Sequence, residues 1–451
     1  MIKKISYFFI VILSVCLLMI FVSCDKDDTN GGNNNTPPNE ITVISEGDCG
    51  ENIKWELSNN GVLTISGNGD MSDYSYGTLS GETVKTPWDD NKTQIKKVVV
   101  DEGLKSIGDY SFYSCSNLTE VSLPRGIVEI GAYAFAFTGI ETVSLPYTLT
   151  TIGEAAFSTD SLKEAYIPYR VNELGRNAFL SNNLVSYTVD ESSNYFSAKD
   201  GVLYNYLGTK LIAYPAAKSA TTYIMPEEVT SIAFNAFFEC DKLTNIVMSP
   251  NLREVEAGAF RCCGNITSLS IPNGVQELGS DTFDGCTNLS SITIGAGVSY
   301  LSGTTFRSCN LTEVNISVDN PYYMSIDGVV FSKDGKTIVY YPCSRTTNTY
   351  NIPYGVTKIG PGCFSTSDFI TTISIPESVA EIGYCAFEWT PITSIYIPKS
   401  VEKIGFSAFS ECDSLTTVNY GGTASDWIEI EIGEWNSILL NAKRNYNSNG
   451  N

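Results

Sequence analysis

One pattern of apolar and polar positions recurs along most of the chain. Apolar residues alternate with polar ones up to a proline, an apolar pair then precedes a glycine, and a phenylalanine follows four residues after that glycine. The segments 121–135 and 373–387 both show the whole pattern. The anchor phenylalanines lie 22 or 23 residues apart, except for two intervals of 58: Phe112, Phe135, Phe157, Phe179, Phe237, Phe260, Phe283, Phe306, Phe364, Phe387 and Phe409.

Each part of the unit predicts a structural element. Alternation that stops at proline predicts a short strand, because proline has no N–H to donate to a further ladder bond. Glycine holds the turn position in eight of eleven units, where we expect a positive φ or a close backbone approach. The exceptions are Ala233, Glu256 and Ser302. The phenylalanine is expected to point inward, and a Leu or Ile five or six residues later closes the coil.

A unit of this length cannot bury its own apolar face, so neighbouring units must stack around a shared core. The pattern therefore predicts a β-rich solenoid of about 11 units of 22–23 residues. The two long intervals contain similar extra segments, 200–215 and 327–342. Asp334-Gly335 between alternating strands is a strong hairpin signal. We therefore expect hairpin inserts near 187–221 and 314–348, projecting from one face.

The N-terminal segment has the features of a targeting signal. Lys3 and Lys4 precede eighteen uncharged, mostly apolar residues, 5–22, and then Ser23 and Cys24. This order predicts a secretory leader over 1–23. The alternative is a retained membrane anchor, since the run approaches the length of a spanning helix. Residues 24–40 are polar, with no hydrophobic side chain from residue 25 on, and predict a flexible tether.

Composition narrows the function. The chain has 451 residues, a formal charge of −22 and no histidine. The acidic balance argues against a nucleic-acid partner, because few cations could displace phosphate counterions. The absence of histidine excludes Ser-His-Asp and Cys-His catalysis and histidine-based metal centres. No catalytic motif was found, and the repeat carboxylates, such as Glu129 and Glu277, are read as solvated charges, so we expect no enzyme, no metal and no cofactor.

Eleven cysteines remain after Cys16 in the leader and Cys24 are set aside. Six stand three residues after a repeat phenylalanine: Cys115, Cys240, Cys263, Cys286, Cys309 and Cys412. The equivalent positions of the other units hold small polar residues: Thr138, Asp160, Asn182, Ser367 and Thr390. We expect buried thiols that bond backbone groups in the turns. Disulfides between stacked units, such as Cys240 with Cys263, are the alternative in an exported chain.

Exposed tyrosines are the candidate binding residues. Ser or Thr is the usual outward residue of the strand before the proline, and Tyr166 and Tyr396 replace it. Tyr206, Tyr322 and Tyr323 are expected to decorate the inserts. Tyrosine gives a large contact area at low entropic cost. The alternative is that these rings simply cover neighbouring strands.

The unit Leu/Ile-Pro-x-x-Val-x-x-Ile-Gly-x-x-Ala-Phe-x-x-Cys-x-x-Leu resembles the BspA-type leucine-rich repeat over residues 98–417. That resemblance implies a right-handed leucine-rich-repeat superhelix. Residues 41–97, with Trp55 and the hairpin segment 59–67, resemble an N-terminal β-hairpin cap, and 418–451 resemble a C-terminal cap in which Ser425 is a candidate helix N-cap. Residues 21–24 are similar to a bacterial lipobox, which implies acylation of Cys24.

The Lys26-Asp27-Asp28 triplet looks like an export signal of outer-membrane lipoproteins, with a plain solvated charge run as the alternative. The family resemblance implies an adhesin-like surface lipoprotein on the outer face of the outer membrane, binding host matrix proteins or other cells. A neutral or basic protein would suit the negative charge. A glycan-binding lipoprotein that assists polysaccharide capture is the alternative.

Overall fold

The structure is a computed structural model that describes residues 40–76, 83–301, 305–306 and 308–449. The predicted leader, the acylation site Cys24 and all but the last residue of the tether lie outside the described residues. Residues from Val43 onward form one compact unit. Within the described part of the chain, no helix is both long and apolar enough to cross a membrane.

The unit is built almost entirely from short strands. A 3₁₀ helix spans Asp89–Gln94, and two short helices, α1 and α2, span Ala424–Trp427 and Ser437–Asn441. The strands of the described residues are β1 Val43–Gly50, β2 Ile53–Ser58, β3 Val62–Gly67, β4 Gly69–Asp70, β5 Lys97–Val100, β6 Leu104–Ile107, β7 Glu120–Ser122, β8 Glu129–Ile130, β9 Thr151–Ile152, β10 Glu164–Ile167, β11 Glu173–Leu174, β12 Ser186–Val189, β13 Phe196–Lys199, β14 Val202–Asn205, β15 Lys210–Ala213, β16 Thr222–Ile224, β17 Ser231–Ile232, β18 Asn245–Val247, β19 Glu254–Val255, β20 Ser268–Ser270, β21 Glu277–Leu278, β22 Ser291–Ile294, β23 Glu313–Ile316, β24 Tyr323–Ile326, β25 Val329–Ser332, β26 Thr337–Tyr340, β27 Thr349–Asn351, β28 Lys358–Ile359, β29 Thr372–Ser374, β30 Glu381–Ile382, β31 Ser394–Ile397, β32 Lys403–Ile404, β33 Thr417–Tyr420, β34 Glu431–Ile432 and β35 Lys443–Asn445.

Two ladders of parallel strands run along the solenoid. The first ladder contains the strands in the first part of each unit, such as β20, β22 and β23. The second contains the two-residue strands before the turn glycine, such as β28, β30 and β32. The β-solenoid predicted from the repeat is confirmed, with about fifteen turns rather than eleven. The difference arises because both caps and both inserts add a strand to the second ladder: β4, β15, β26 and β34.

The anchor phenylalanines stack face to face inside the solenoid, which confirms their predicted inward orientation. The rings of Phe135 and Phe157 lie 5.2 Å apart and nearly parallel, and Phe157 stacks on Phe179 at 5.4 Å. Every anchor ring is at most 3% exposed. Offset stacking adds about 0.5–1.5 kcal/mol per pair beyond the apolar area that it buries. The stacked rings therefore form a spine for the core.

The turn glycines act through close approach and not through a positive φ. A Cβ on Gly153 would lie 2.4 Å from the backbone nitrogen of Ala132 in the preceding turn. The left-handed residue is found two positions later, as at Tyr133 with φ 55° and Ala155 with φ 50°. Of the two alternatives that the sequence left open, the structure thus selects the steric one.

The inserts separate the core into three sections. The middle strand of each insert is buried on both faces and directs alternate side chains into different sections. Leu203 packs into the first section, whereas Val202 and Tyr204 pack into the second. In the second insert, Val330 faces the second section and Phe331 the third. The expectation that the inserts project from one face is therefore incomplete, because their strands also form internal walls.

The last strand of each insert re-enters the second ladder. β15 pairs antiparallel with β14 and parallel with β17, and β26 pairs in the same way with β25 and β28. A tyrosine then replaces the anchor phenylalanine: Tyr214 stacks on Phe237 at 5.3 Å, and Tyr341 contacts Phe364 at 5.1 Å. The predicted hairpin at Asp334-Gly335 is confirmed, with φ 70° at Gly335.

The repeat cysteines form a ladder of thiol hydrogen bonds, as expected. The thiols of Cys263, Cys286 and Cys309 donate to the carbonyls of the phenylalanines of the preceding turns at 2.9, 3.0 and 2.9 Å. In the described structure the six repeat cysteines are free thiols and form no disulfide with one another. In two units the expected position was wrong by one residue. Thr159 and Ser181 are buried and bond the carbonyls of neighbouring turns, whereas Asp160 and Asn182 are exposed.

Aromatic residues close both ends of the spine. The buried indole of Trp88 stacks on Phe112 at 5.4 Å, meets Trp55 at 5.6 Å and donates to the carbonyl of Ser111. At the C-terminal end, Tyr420 contacts Trp427 at 5.1 Å. The prediction of Ser425 as the N-cap of α1 was wrong by two residues. Thr423 is the N-cap, because only its hydroxyl reaches the amide of Asp426, whose carboxylate in turn accepts from Thr423.

Candidate aromatic docking surface

Short polar side chains hold the outward position of the first ladder in several turns, whereas β16 and β18 expose Ile224 and Val247 there. Ser122, Ser270, Thr293 and Ser374 hold this position in different turns, and Tyr166 replaces them in β10. Tyr166 is 42% exposed, and its hydroxyl donates to Asp190 at 2.8 Å. Partial burial and then this bond raise the pKa of Tyr166. The ring is thus displayed while its hydroxyl is held.

Tyr396 occupies the matching place in β31 but is only half-buried. Its hydroxyl donates to the carboxylate of Glu377. Burial, followed by the Glu377 bond, raises the pKa of Tyr396 to about 12. Many turns separate Tyr166 from Tyr396 along the ladder, so the structure does not bring these two predicted residues together.

The three insert tyrosines differ in their surroundings. Tyr206 and Tyr322 are 53% and 50% exposed, one in each insert. Tyr323 is instead half-buried and packs against the second core section. Its hydroxyl donates to the carbonyl of Ser299 at 3.2 Å and accepts from the amide of Leu301 at 3.1 Å. Tyr323 therefore belongs to the wall of the second core section and not to an exposed surface.

A contiguous group of aromatic rings lies on the N-terminal cap segment and the turns of the first two repeat units. We call Tyr76, Tyr110, Tyr113, Tyr133 and Phe137 the aromatic patch. Tyr110 stacks on Tyr133 at 4.8 Å with an interplanar angle of 12°. Tyr113 contacts Tyr76 at 5.1 Å, Tyr110 at 5.4 Å and Phe137 at 5.4 Å. Four of the rings are half-buried, and Phe137 is exposed.

The turn geometry places these rings side by side. Tyr110 and Tyr133 each stand two residues after a turn glycine, at the left-handed position, with φ 55° in both. Tyr110 donates its amide to the carbonyl of Ala132, which fixes adjacent turns in register. Sequence analysis missed the patch. The available signal was tyrosine at the same turn position in consecutive units, where other units hold Asn177, Asn235 and Asp281.

A polar network holds one edge of the patch. Lys92 lies 5.0 Å from the ring centre of Tyr76 and 2.9 Å from its hydroxyl. Asp89 accepts from Tyr76 and forms ion pairs with Lys92 at 3.1 Å and Lys85 at 3.2 Å. Burial acts to raise the pKa of Asp89, but the bonds from Tyr76, Lys92 and Lys85 together hold it below its usual value. The ring of Tyr76 is therefore held in place by the ion pairs beneath it.

Burial sets the ionisation of the patch hydroxyls. Desolvation, followed by the nearby Glu154 carboxylate, raises the pKa of Tyr133 to about 12. Desolvation also raises the pKa of Tyr110 and Tyr113. All three phenols are therefore neutral at physiological pH. The patch offers ring faces and neutral hydroxyls to a partner.

The second ladder presents charges on its outer side. Lys358 pairs with Glu381 and Lys403 pairs with Glu431, both at 2.9 Å. Glu254 and Glu277 instead face the same way in adjacent strands. Such exposed ion pairs contribute little stability. Among the described residues, no group of three or more Cys, Asp or Glu side chains is arranged to hold a metal ion.

Comparison with protein families identifies the repeat. The family described as "BspA type Leucine rich repeat region" matches residues 90–200, 213–334 and 336–429 in six copies. These ranges cover more than half of the chain. The chain belongs to this BspA-type leucine-rich repeat family. The resemblance inferred from the repeat unit is thereby confirmed.

The chain is also similar to solved structures of bacterial leucine-rich proteins. A leucine-rich repeat protein from Eubacterium ventriosum is 24% identical with a TM-score of 0.56, over 81% of this chain and 94% of that one. One from Bacteroides ovatus is 20% identical with a TM-score of 0.42, over 92% and 100%. A leucine rich cell surface protein from Faecalibacterium prausnitzii is 20% identical with a TM-score of 0.38, over 88% and 98%. A comparison with curated proteins gives no match.

Proposed function

We propose that this chain is a non-enzymatic cell-surface protein that docks protein partners, with the aromatic patch as its main contact. The observation that carries the proposal is the contiguity of Tyr76, Tyr110, Tyr113, Tyr133 and Phe137 on consecutive turns of a rigid solenoid. Tyrosine-rich, preorganised surfaces are typical of binding hot spots, because their rings add contact area with little loss of rotamer freedom.

The charge of the chain favours a particular kind of partner. With a formal charge of −22, the chain would repel acidic surfaces and attract neutral or basic ones. An adhesin-like role toward host matrix proteins or neighbouring cells fits this charge and the family. Tyr166, Tyr206 and Tyr322 would then serve as separate, secondary contacts.

The N-terminal targeting signal gives the proposed location of the protein. Lipid attachment at Cys24, after removal of residues 1–23, would tether the repeats to the outer face of the outer membrane. Two or more acyl chains are needed for stable anchoring, as a bacterial lipoprotein cysteine provides. Replacement of Cys24 by Ser should release the chain from membranes, and external protease on intact cells should digest the wild-type chain. Resistance to that protease would contradict surface exposure.

The binding test compares matched tyrosine variants. Full-length chain would be screened against immobilised matrix proteins, bacterial surface proteins and a glycan array. A Tyr110→Ser, Tyr113→Ser double variant should lose at least tenfold in affinity for a protein hit, while Tyr166→Ser, a displayed tyrosine outside the patch, changes it less. Equal loss in both variants, or none in the double variant, would contradict the patch.

Glycan capture is the second candidate, and one observation favours it. The parallel rings of Tyr110 and Tyr133, 4.8 Å apart, offer a flat aromatic face of the kind on which sugar rings stack. If the chain binds only to the glycan array, and the same double variant loses this binding, the function is glycan capture and not protein docking.

A further inference from the structure

A cavity of about 410 Å³ lies where the first insert separates the first and second core sections. Phe179, Tyr187, Leu203, Ala213, Tyr214 and Phe238 contribute to its walls. Phe179 is the last anchor ring of the first section and stacks on Phe157 on its other side. The volume falls in the range of small-molecule sites, about 300–1,000 Å³.

The second insert shows which group fits this space. Ala213 pairs with Leu203 across the antiparallel strands of the first insert, and Tyr340 pairs with Val330 at the same register position in the second. The ring of Tyr340 is buried and lies 5.0 Å from Phe306, the anchor that precedes the second insert as Phe179 precedes the first. The chain thus fills one junction with an aromatic ring and places only a methyl group at the other.

The Tyr214 hydroxyl and Asn235 Oδ1 have no hydrogen-bond partner in the described structure, but both atoms have almost no accessible surface. They are therefore closed off from the cavity, although other atoms of the two residues line it. The wall offers a ligand mainly its ring and alkyl surfaces.

The charged side chains of the wall contact other protein groups. Lys210 forms an ion pair with Glu256 at 2.5 Å, and Glu256 also accepts from the amide of Phe234 at 3.0 Å. Arg176, which is exposed, places its guanidinium 5.0 Å from the ring centre of Phe234. Because these charges are engaged with the protein, the wall favours a neutral ligand.

We propose that this cavity is a binding site for a neutral aromatic ring, such as that of a phenol or an indole. The ring packs against Phe179 in the place that Tyr340 takes beside Phe306. A cavity of about 150 Å³ already holds benzene, so the larger volume admits one ring system with a substituent. The site is separate from the aromatic patch and does not depend on the function proposed for it.

The test uses the two inserts as each other's control. In calorimetric titration of the full chain with p-cresol and with indole, we expect one site. Ala213→Tyr, which copies the second insert, should weaken binding at least tenfold, and Tyr340→Ala should add a second site. Unchanged binding by a folded Ala213→Tyr variant, or no binding by the wild-type chain up to the solubility limit of both probes, would overturn the proposal.

A structural readout covers the case in which Ala213→Tyr misfolds. Wild-type crystals soaked with 4-bromophenol should show the anomalous signal of bromine within van der Waals distance of the cavity wall at Phe179. A signal only elsewhere on the chain would also overturn the proposal.

The natural source of the ring is separable in the same assay. N-acetyl-L-tyrosinamide carries the phenol on a peptide backbone. If it binds as p-cresol does and Ala213→Tyr weakens both, the site is supported and takes a partner's side chain. If only p-cresol binds, with the same loss in the variant, the site is supported and takes a free aromatic molecule.

Discussion

The thiol of Cys263 donates a hydrogen bond of 2.9 Å to the carbonyl of Phe237 in the preceding turn. The same contact joins Cys286 to Phe260. The bond ties each turn to its neighbour at the residue that also carries the ring stack, so backbone satisfaction and core packing are coupled at one place.

Removal of this donor should destabilise the solenoid. Cys263→Ala removes the shorter of two hydrogen bonds to the Phe237 carbonyl, which keeps the amide of Cys240 at 3.3 Å, and creates a small cavity. We therefore expect a loss of about 1–2 kcal/mol in unfolding free energy. Cys263→Ser keeps a donor, and the hydroxyl of Thr159 shows that such a group can reach a carbonyl of the preceding turn, that of Thr138. Urea unfolding followed by circular dichroism should rank serine above alanine; equal losses would remove the hydrogen bond from the explanation.

Thiol ionisation predicts a stability limit at high pH. Burial raises the pKa of Cys115 to about 12 and of Cys262 and Cys412 to about 11. An unfolded thiol ionises near pH 9, so the native chain holds protons that the unfolded chain releases. The resulting stability is complete below pH 9 and declines as the pH rises toward 11–12.

Urea midpoints measured from pH 8 to pH 11 should therefore fall. Iodoacetamide at pH 8 should label the thiols slowly in the native chain and rapidly in urea, because the thiolate is the reactive form. Equal rates in both states would show that the thiols are not protected.

Two glycines separate steric approach from backbone strain. In Gly153→Ala the new Cβ meets backbone atoms of the preceding turn at 2.4 Å. At Gly208 a Cβ meets nothing within 4 Å, and only the φ of 71° is unfavourable. We expect about 1–2 kcal/mol of destabilisation at Gly208 and a larger loss at Gly153, both from chemical denaturation. A milder effect at Gly153 would contradict the close approach.

The N-cap of α1 is open to a matched comparison. Thr423→Ala should cost about 1 kcal/mol, the usual contribution of such a cap. Ser425→Ala, the position expected from the sequence, should change stability little. Thermal unfolding of both variants decides between the positions, and a greater effect at Ser425 would reinstate the sequence-based assignment.

The carboxylate of the capping box adds a pH dependence. Bonds from the Thr423 backbone and hydroxyl, and then from Lys399, hold the pKa of Asp426 below its usual value. The stability that this residue contributes is therefore present above the unfolded pKa and is lost as the pH falls through the folded one. Asp426→Asn should flatten the acid limb of a stability–pH curve; an unchanged limb would count against the contribution.

The sequence predicted the spine but not the walls. Phe135 and Phe387 recur with a period that only one stacking arrangement satisfies, so the inward rings and the ladders followed from spacing. Tyr214 could not be identified as a spine residue, because its strand belongs to a hairpin whose flanking residues differ from the repeat. Leu203 and Tyr204 lie on opposite faces of one strand, and the sequence alone does not show that both faces are buried.

The candidate surfaces were less accessible to sequence reasoning. Tyr166 differs from the short polar residues at the same position of other turns, and its side chain is exposed. Tyr323 lies on a strand whose side chains alternate between two faces, and the sequence does not show which of these faces is buried. The aromatic patch depends on contact between Tyr113 and rings of other turns, and single positions do not show such contacts. The cavity at Ala213 follows from a difference between two otherwise similar inserts, which spacing does not measure.

The division of the core into three sections has a mechanical consequence. Val202 and Leu203 point into different sections, so rupture of one section leaves the ring stack of the next intact. A chain pulled from both ends would therefore lengthen in discrete steps, and each step would dissipate load before the following section yields. The inserts would then confine each unfolding event to one section of the core.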